Sequence, residues 1–433
     1  MLRIVVSILL ALGLLSCVNL LVENPKDQDD NEQDTNLQTT QVPKWARTVS
    51  TGSGSSAFHG VAVDSFGNVY TAGYQSGTGS YTYSSGVSVS GASSNDNVVL
   101  VKYNSSGTAQ WAKSVSSGSA SQFKSVAVDS SGNVYAAGYQ YGTGNYNYGS
   151  GATAIGSYSD NNSVLVKYNS SGTAQWARSV SGSSHSLFYS VAVDSSGNVY
   201  VAGYQFGNGS YTYGSGVSVA GTSSFNNAVL VKYDSTGKAL WAKSVTSGSN
   251  HSCFYSVTVD SSGNVYAAGY QYGTGTYTYG TGVSVAGSSS ANNVVLVKYN
   301  SSGTAQWART VSSGSYDSIF FGVAVDSSGN VYTAGYQSGT GSYTYSSGVS
   351  VSGASSNDNV VLVKYNSSGT AQWARTVTSG SIGCKFNSIA VDTFGNVYAA
   401  GAQFGNAAYT YGTGATATGL QEDENVVLVK YGP

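Results

Sequence analysis

Three kinds of residue in this 433-residue sequence have the chemistry to recognise something: six tyrosine pairs, three histidines and a cysteine near the amino terminus. The pairs are Tyr81/Tyr83, Tyr146/Tyr148, Tyr211/Tyr213, Tyr277/Tyr279, Tyr343/Tyr345 and Tyr409/Tyr411. Serine, glycine and asparagine surround them. This is the composition of adaptable contact surfaces, where tyrosine supplies amphipathic area at little rotamer cost. The twelve tyrosines are therefore the candidate ligand-binding residues. A packing reading stands beside that one: most of the 35 tyrosines recur in register, and the pairs could form an additional hairpin with Val217-Ser218-Val219 and its equivalents.

Catalysis finds little support. After residue 43 the only glutamates are Glu422 and Glu424, and the recurring aspartates open turns, where side-chain hydrogen bonding to the backbone accounts for them. No nucleophile stands beside a base in the connectors, so no catalytic residue is expected and the chain is read as a non-enzyme. His59, His185 and His251 are dispersed and there is no CxxC, so no metal or other cofactor is expected. Beyond Lys44 the charges nearly balance, which leaves no basic stripe for nucleic acid. The lysines of the V-K-Y triplets and the cations after each W-A pair read as solvated charges that discourage edge pairing. Cys253 and Cys384 fall in different repeats, one residue out of register, and a bridge between them is not expected.

The amino terminus reads as an address. Residues 1–16 carry one cation, Arg3, and then an apolar run too short to span a bilayer, as in a signal peptide. The string Leu14-Leu15-Ser16-Cys17 resembles the bacterial lipobox, departing from it at Leu15. The resemblance implies cleavage before Cys17, the lipid-attachment site, and anchorage of the protein to a membrane. Residues 17–43 continue as an acidic, aperiodic segment, a disordered tether with a reach of about 28 Å.

The elements that must position any site come from a repeat. Tryptophan falls at 45, 111, 176, 241, 307 and 373, and a turn-opening aspartate at 64, 129, 194, 260, 326 and 392. Such a period signals a repeat architecture. Within one unit, Ser125 to Val128, the turn Asp129-Ser130-Ser131-Gly132 and Asn133 to Gly138 read as a hairpin. Val164 to Tyr168, the turn Asn169 to Gly172 and Ala174 to Arg178 read as a second. Two hairpins make a four-stranded blade. The last unit stops at Val426 to Tyr431 where the others continue to a tryptophan strand, and the first tryptophan strand, Lys44 to Val49, has no preceding hairpin. Pairing these ends predicts an all-β, closed six-bladed β-propeller over 44–433, with the N-terminal strand completing the last blade.

Units such as Val191 to Tyr200, with Val229 to Gly237 downstream, resemble the bacterial β-propeller repeat family, usually seven-bladed and mostly without assigned activity. Residues 67–112 and 329–374 are identical, the mark of a recent copying event. The reading that follows is an exported, lipid-anchored binding or adhesion module of the bacterial cell envelope, at the outer membrane on its surface or periplasmic side. Its body is expected to be monomeric. A glycan or protein would be bound on the face carrying the long connectors and the unequal loops near residues 53–58, 119–123, 183–188, 249–254, 315–320 and 381–386. The alternative is a structural or assembly scaffold of that envelope.

Overall fold

The hairpin turns are set locally. In the third repeat the Asp194 carboxylate accepts the backbone N–H groups of Ser196 and Asn198, both at 2.9 Å, and its second oxygen accepts the Asn198 side-chain amide at 2.8 Å and the Tyr200 hydroxyl at 3.0 Å. Gly197 closes the turn at φ +78°, a left-handed conformation that a Cβ would strain. The second turn is built the same way on Asp234 and Gly237. Four strands result, Ser186–Val193, Val199–Phe206, Asn226–Tyr233 and Ala239–Ser244, antiparallel in that spatial order. The third is an unbroken apolar run because neighbouring blades cover both its faces; Val229, Leu230 and Val231 are wholly buried.

The computed structural model describes residues 44–314 and 316–433 and the backbone of Leu10–Ala11. Among the described residues every regular element is a β-strand, and the strands form the six blades of a β-propeller. Five blades have four strands, spanning 56–113, 121–179, 186–244, 252–309 and 318–375. The predicted signal peptide, Cys17 and the tether lie outside the described residues. The exception is Leu10–Ala11, whose backbone pairs antiparallel with Gly60 and Val61 on the innermost strand of the first blade.

Successive blades are stapled by the cations that were expected to be solvated. Lys167 reaches over the Tyr135 ring, 5.4 Å from its centroid, and donates to the Ser235 carbonyl of the next blade at 3.0 Å. Trp176 donates to the same carbonyl at 3.3 Å, and Arg178 to the Gly237 carbonyl at 2.8 Å. A long cationic stem lying along an aromatic ring reaches the turn carbonyls of the next blade without losing its packing. Lys102, Lys232 and Lys298, and Arg47 and Arg309, make the same inter-blade contacts.

The sixth blade departs from the predicted closure. It has three strands, Gly383–Val391, Val397–Phe404 and Glu424–Tyr431, and its third strand keeps an open edge. Val426 is 70% and Leu428 51% exposed, whereas Val98 and Leu100 at the same repeat positions are fully buried. Residues 44–49 form no strand. They sit instead on the first blade, where Trp45 donates to the Ser105 carbonyl at 3.1 Å, as Trp111, Trp176, Trp241 and Trp307 do to their next blades. The seat on the following blade forms without the ladder to the preceding one. Innermost strands pack successively from the first blade to the sixth; among the described residues those of the sixth and the first are not packed on each other in the same way, and the Leu10–Ala11 backbone contacts both.

Candidate functional site

The predicted tyrosine pairs are assembled by each blade into its own second hairpin. In the third blade Ser210–Gly214 pairs with Val217–Ala220, and an isolated bridge ties Thr212 to Ser181 of the preceding connector. This hairpin folds back along the outermost strand instead of standing on the connector face, so that a Cβ at Gly214 would meet Ala239. The consequence is burial. Tyr81, Tyr83, Tyr146, Tyr148, Tyr211, Tyr213, Tyr277, Tyr279, Tyr343, Tyr345, Tyr409 and Tyr411 are all buried. Tyr211 lies against Gly182 and donates to the Phe206 carbonyl at 2.8 Å, while Tyr213 donates to Oε1 of Gln205 at 2.8 Å. With rings and hydroxyls both engaged inside the blade, the twelve are packing residues, and none is presented to a ligand.

The connectors are organised by an asparagine that the sequence reading passed over. Oδ1 of Asn227 accepts the N–H groups of Thr222 and Ser223, both at 2.9 Å, and its amide donates to the carbonyls of Gly207, Ser223 and Phe225. Asn97, Asn162, Asn293, Asn359 and Asn425 do the same in their blades. Their recurrence at the second position of each third strand, just ahead of its apolar run, was the available signal. Two of the histidines also pack locally: His185 stacks on Phe206 at 4.4 Å and His251 lies against Phe225 at 4.5 Å. Asp317 holds the N–H of Asn292, and Lys385 pairs with Glu424 at 3.6 Å.

What remains is the channel wall. Each innermost strand carries a one-residue bulge after its phenylalanine, and the bulged residues are His59, Lys124, Tyr189, Tyr255, Phe321 and Asn387, all half-buried. A bulge re-aims a side chain, and in a propeller the innermost strands stand around the axis. Neighbours along this ring touch: Nζ of Lys124 lies 3.4 Å from Nε2 of His59, Tyr189 and Tyr255 have centroids 4.8 Å apart, and Tyr255 and Phe321 5.1 Å. The position two residues earlier follows the same division, with Leu187, Cys253 and Ile319 beside the aromatic arc and Lys385, Ala57 and Gln122 in the other half.

Variation reaches this wall as it does the connectors beside it. The first and fifth blades are identical over 67–112 and 329–374, yet at the bulge one carries Ala57-Phe58-His59 and the other Ile319-Phe320-Phe321. Burial lowers the His59 pKa to about 4, helped by the positive charge of Lys124, so the imidazole is neutral near pH 7. Lys124 is held down to about 8, chiefly by desolvation and partly restored by Asp96. Among the described residues no group of three or more His, Cys, Asp or Glu side chains is placed to hold a metal ion. No described helix is long and apolar enough to cross a membrane.

A family match agrees with the architecture. The beta-propeller repeat family matches residues 175–204, the tryptophan strand of the second blade and the first hairpin of the third. An uncharacterized WD repeat-containing protein of Acanthamoeba polyphaga mimivirus is 24% identical over 358 residues, covering 70% of this chain. The match spans 25% of the length of that relative. A crystal structure of a protein of unknown function from Bacteroides caccae aligns with TM-score 0.32 and 11% identity, over 65% of this chain and 77% of that one.

Proposed function

Starting from a six-bladed protein of the beta-propeller repeat family, we propose that it is an exported, lipid-anchored, non-catalytic binding module of the bacterial envelope whose ligand is held at the channel wall. One observation carries this reading. In a chain of near-copies, the bulged wall position holds histidine, lysine, tyrosine, tyrosine, phenylalanine and asparagine in turn. Packing alone keeps one residue type in six equivalent environments, as it does at the buried tyrosine pairs. A wall that is aromatic on one side and polar on the other suits a ligand with two unlike faces. The lipobox-like Cys17 and the acidic segment behind it support anchorage. The test is a glycan and envelope-protein binding screen of the full-length protein in detergent, repeated with Tyr189→Ala and Tyr255→Ala. Loss of the captured ligand in both variants is expected, and unchanged capture overturns the site.

The open edge of the sixth blade favours a second reading. Exposed Val426 and Leu428 on an unpaired strand offer a docking ladder to another protein, as an envelope scaffold requires. Crosslinking from membranes with a photoreactive residue at 426 tests it, and the absence of a protein adduct removes it.

A further inference from the structure

The Lys124 side chain has an incomplete environment. Its ammonium group donates to Oε1 of Gln122 at 2.5 Å, touches Nε2 of His59 at 3.4 Å and lies 5.7 Å from the centre of the Tyr139 ring. No described carboxylate comes within ion-pair distance of it; the one ion pair among the described residues joins Lys385 to Glu424. Asp96, the nearby acid, is already engaged by the Gln122 amide at 2.7 Å and the Ser76 hydroxyl at 2.5 Å. Asp96 offsets part of this charge at longer range, and a partly desolvated cation with no carboxylate in contact gains further when an anion joins it.

His59 points the same way. A neutral imidazole whose Nε2 accepts from an ammonium group carries its proton on Nδ1, and the Nδ1 of His59 is buried with no partner. His59 therefore meets Lys124 as a neutral acceptor and does not cancel its charge. Further along the wall, Tyr189 and Tyr255 meet at 58° and Tyr255 and Phe321 at 55°, so their rings tile a curved surface. The hydroxyls of Tyr189 and Tyr255 make no hydrogen bond among the described residues, unlike those of the hairpin pairs such as Tyr211 and Tyr213, although the buried hydroxyls of Tyr103, Tyr168, Tyr299 and Tyr431 are also without a partner. The Tyr139 ring lies under Lys124.

We propose that the wall binds an acidic saccharide, with its carboxylate or sulfate at Lys124 and His59 and its ring against Tyr189 and Tyr255. This rests on the channel wall being the binding site. A pyranose has a C–H face that packs on an aromatic ring and hydroxyls that free phenols can serve, and an acid group on it meets the unpaired cation. The pH dependence has a definite sign. The titratable groups facing Lys124 are His59 and Asp96 of the first blade and Tyr139 of its own. With His59 held near 4 and Tyr139 pushed up to about 12, it is Lys124, near 8, that loses its proton between pH 7 and 9.5. Affinity for the acid therefore falls over that range.

The experiment titrates the full-length protein in detergent with trigalacturonate, a 6-O-sulfated galactose trisaccharide and neutral galactotriose, at pH 7 and 9.5. An acidic sugar is expected to bind at least tenfold more tightly than the neutral one at pH 7. The two acidic arms decide between carboxylate and sulfate. Lys124→Met brings acid and neutral affinities together, Lys124→Arg keeps most of the difference, and Tyr255→Ala weakens both. Melting temperatures confirm that each variant is folded. Equal binding of acidic and neutral sugars, or an acid preference that survives Lys124→Met, overturns the proposed ligand chemistry while leaving the wall as the site. Saccharide binding untouched by Tyr255→Ala overturns the wall itself, and no saccharide binding at all overturns the proposal.

Discussion

The Tyr213 hydroxyl donates to Oε1 of Gln205 in the interior of the third blade, and the Gln205 amide in turn donates to the Val219 carbonyl, locking the second hairpin onto the blade's second strand. The same pair recurs as Tyr83 with Gln75 and Tyr345 with Gln337. Tyr213→Phe leaves a buried amide oxygen without its donor, and unfolding in urea should show a loss of about 1–3 kcal/mol. Tyr213→Ala should lose about 3–5 kcal/mol through the cavity. Ligand affinity lost in Tyr213→Phe without loss of stability would sink the packing assignment.

Leu230 and Leu428 occupy the same repeat position with opposite environments, one fully buried and one 51% exposed. Leu230→Ala should cost about 2–5 kcal/mol, within the range for fully buried leucines. Leu428→Ala should cost less than about 1 kcal/mol, since half the side chain already faces water. Chemical denaturation of the two variants checks this. Equal losses mean that a strand covers the sixth blade in solution, with Lys44 to Val49 the first segment to suspect.

Stability should fall on mild acidification because of His59. Its pKa is about 4 in the folded protein and 6.5 without burial. Between those values the unfolded chain holds a proton that the folded one does not, so stability present above pH 6.5 is lost as pH falls toward 4. The shift corresponds to roughly 3 kcal/mol. Urea midpoints at pH 7 and pH 4 for the parent and His59→Gln provide the comparison. Carboxylate effects are common to both, and a parent no more acid-sensitive than the variant contradicts the burial of the imidazole.

The thiols should be silent in the native state. Cys253 and Cys384 are buried and unbridged, and burial pushes Cys253 well above the usual thiol range and Cys384 to about 12. Thiolate is the reactive form. At pH 8 a disulfide reagent such as DTNB should titrate neither cysteine until urea is added, and then both. Rapid native labelling would contradict the packing of their strands.

Much of the fold was legible because its determinants lie within a few residues of one another. Asp194, Asn198, Tyr200 and Gly197 build their turn from contacts at most six residues apart, and the even spacing of such turns yields the blades. The tyrosine pairs misled because Tyr211 resembles a paratope residue until its hairpin folds back against Gly182 of the preceding connector. The lysine and arginine rings misled for a similar reason: Lys167 and the Ser235 carbonyl are 68 residues apart in the chain.

The sequence by itself determined the repeat, the strands, the turns and the all-β class, since alternation, Asx turns and left-handed glycines act over a few peptide bonds. Tertiary structure alone decided that His59 meets Lys124, that the aromatic bulges form one arc, and that the sixth blade keeps an open edge instead of pairing with residues 44–49. Those outcomes depend on how whole blades stack, a geometry set by side chains a full repeat apart, which no local pattern encodes.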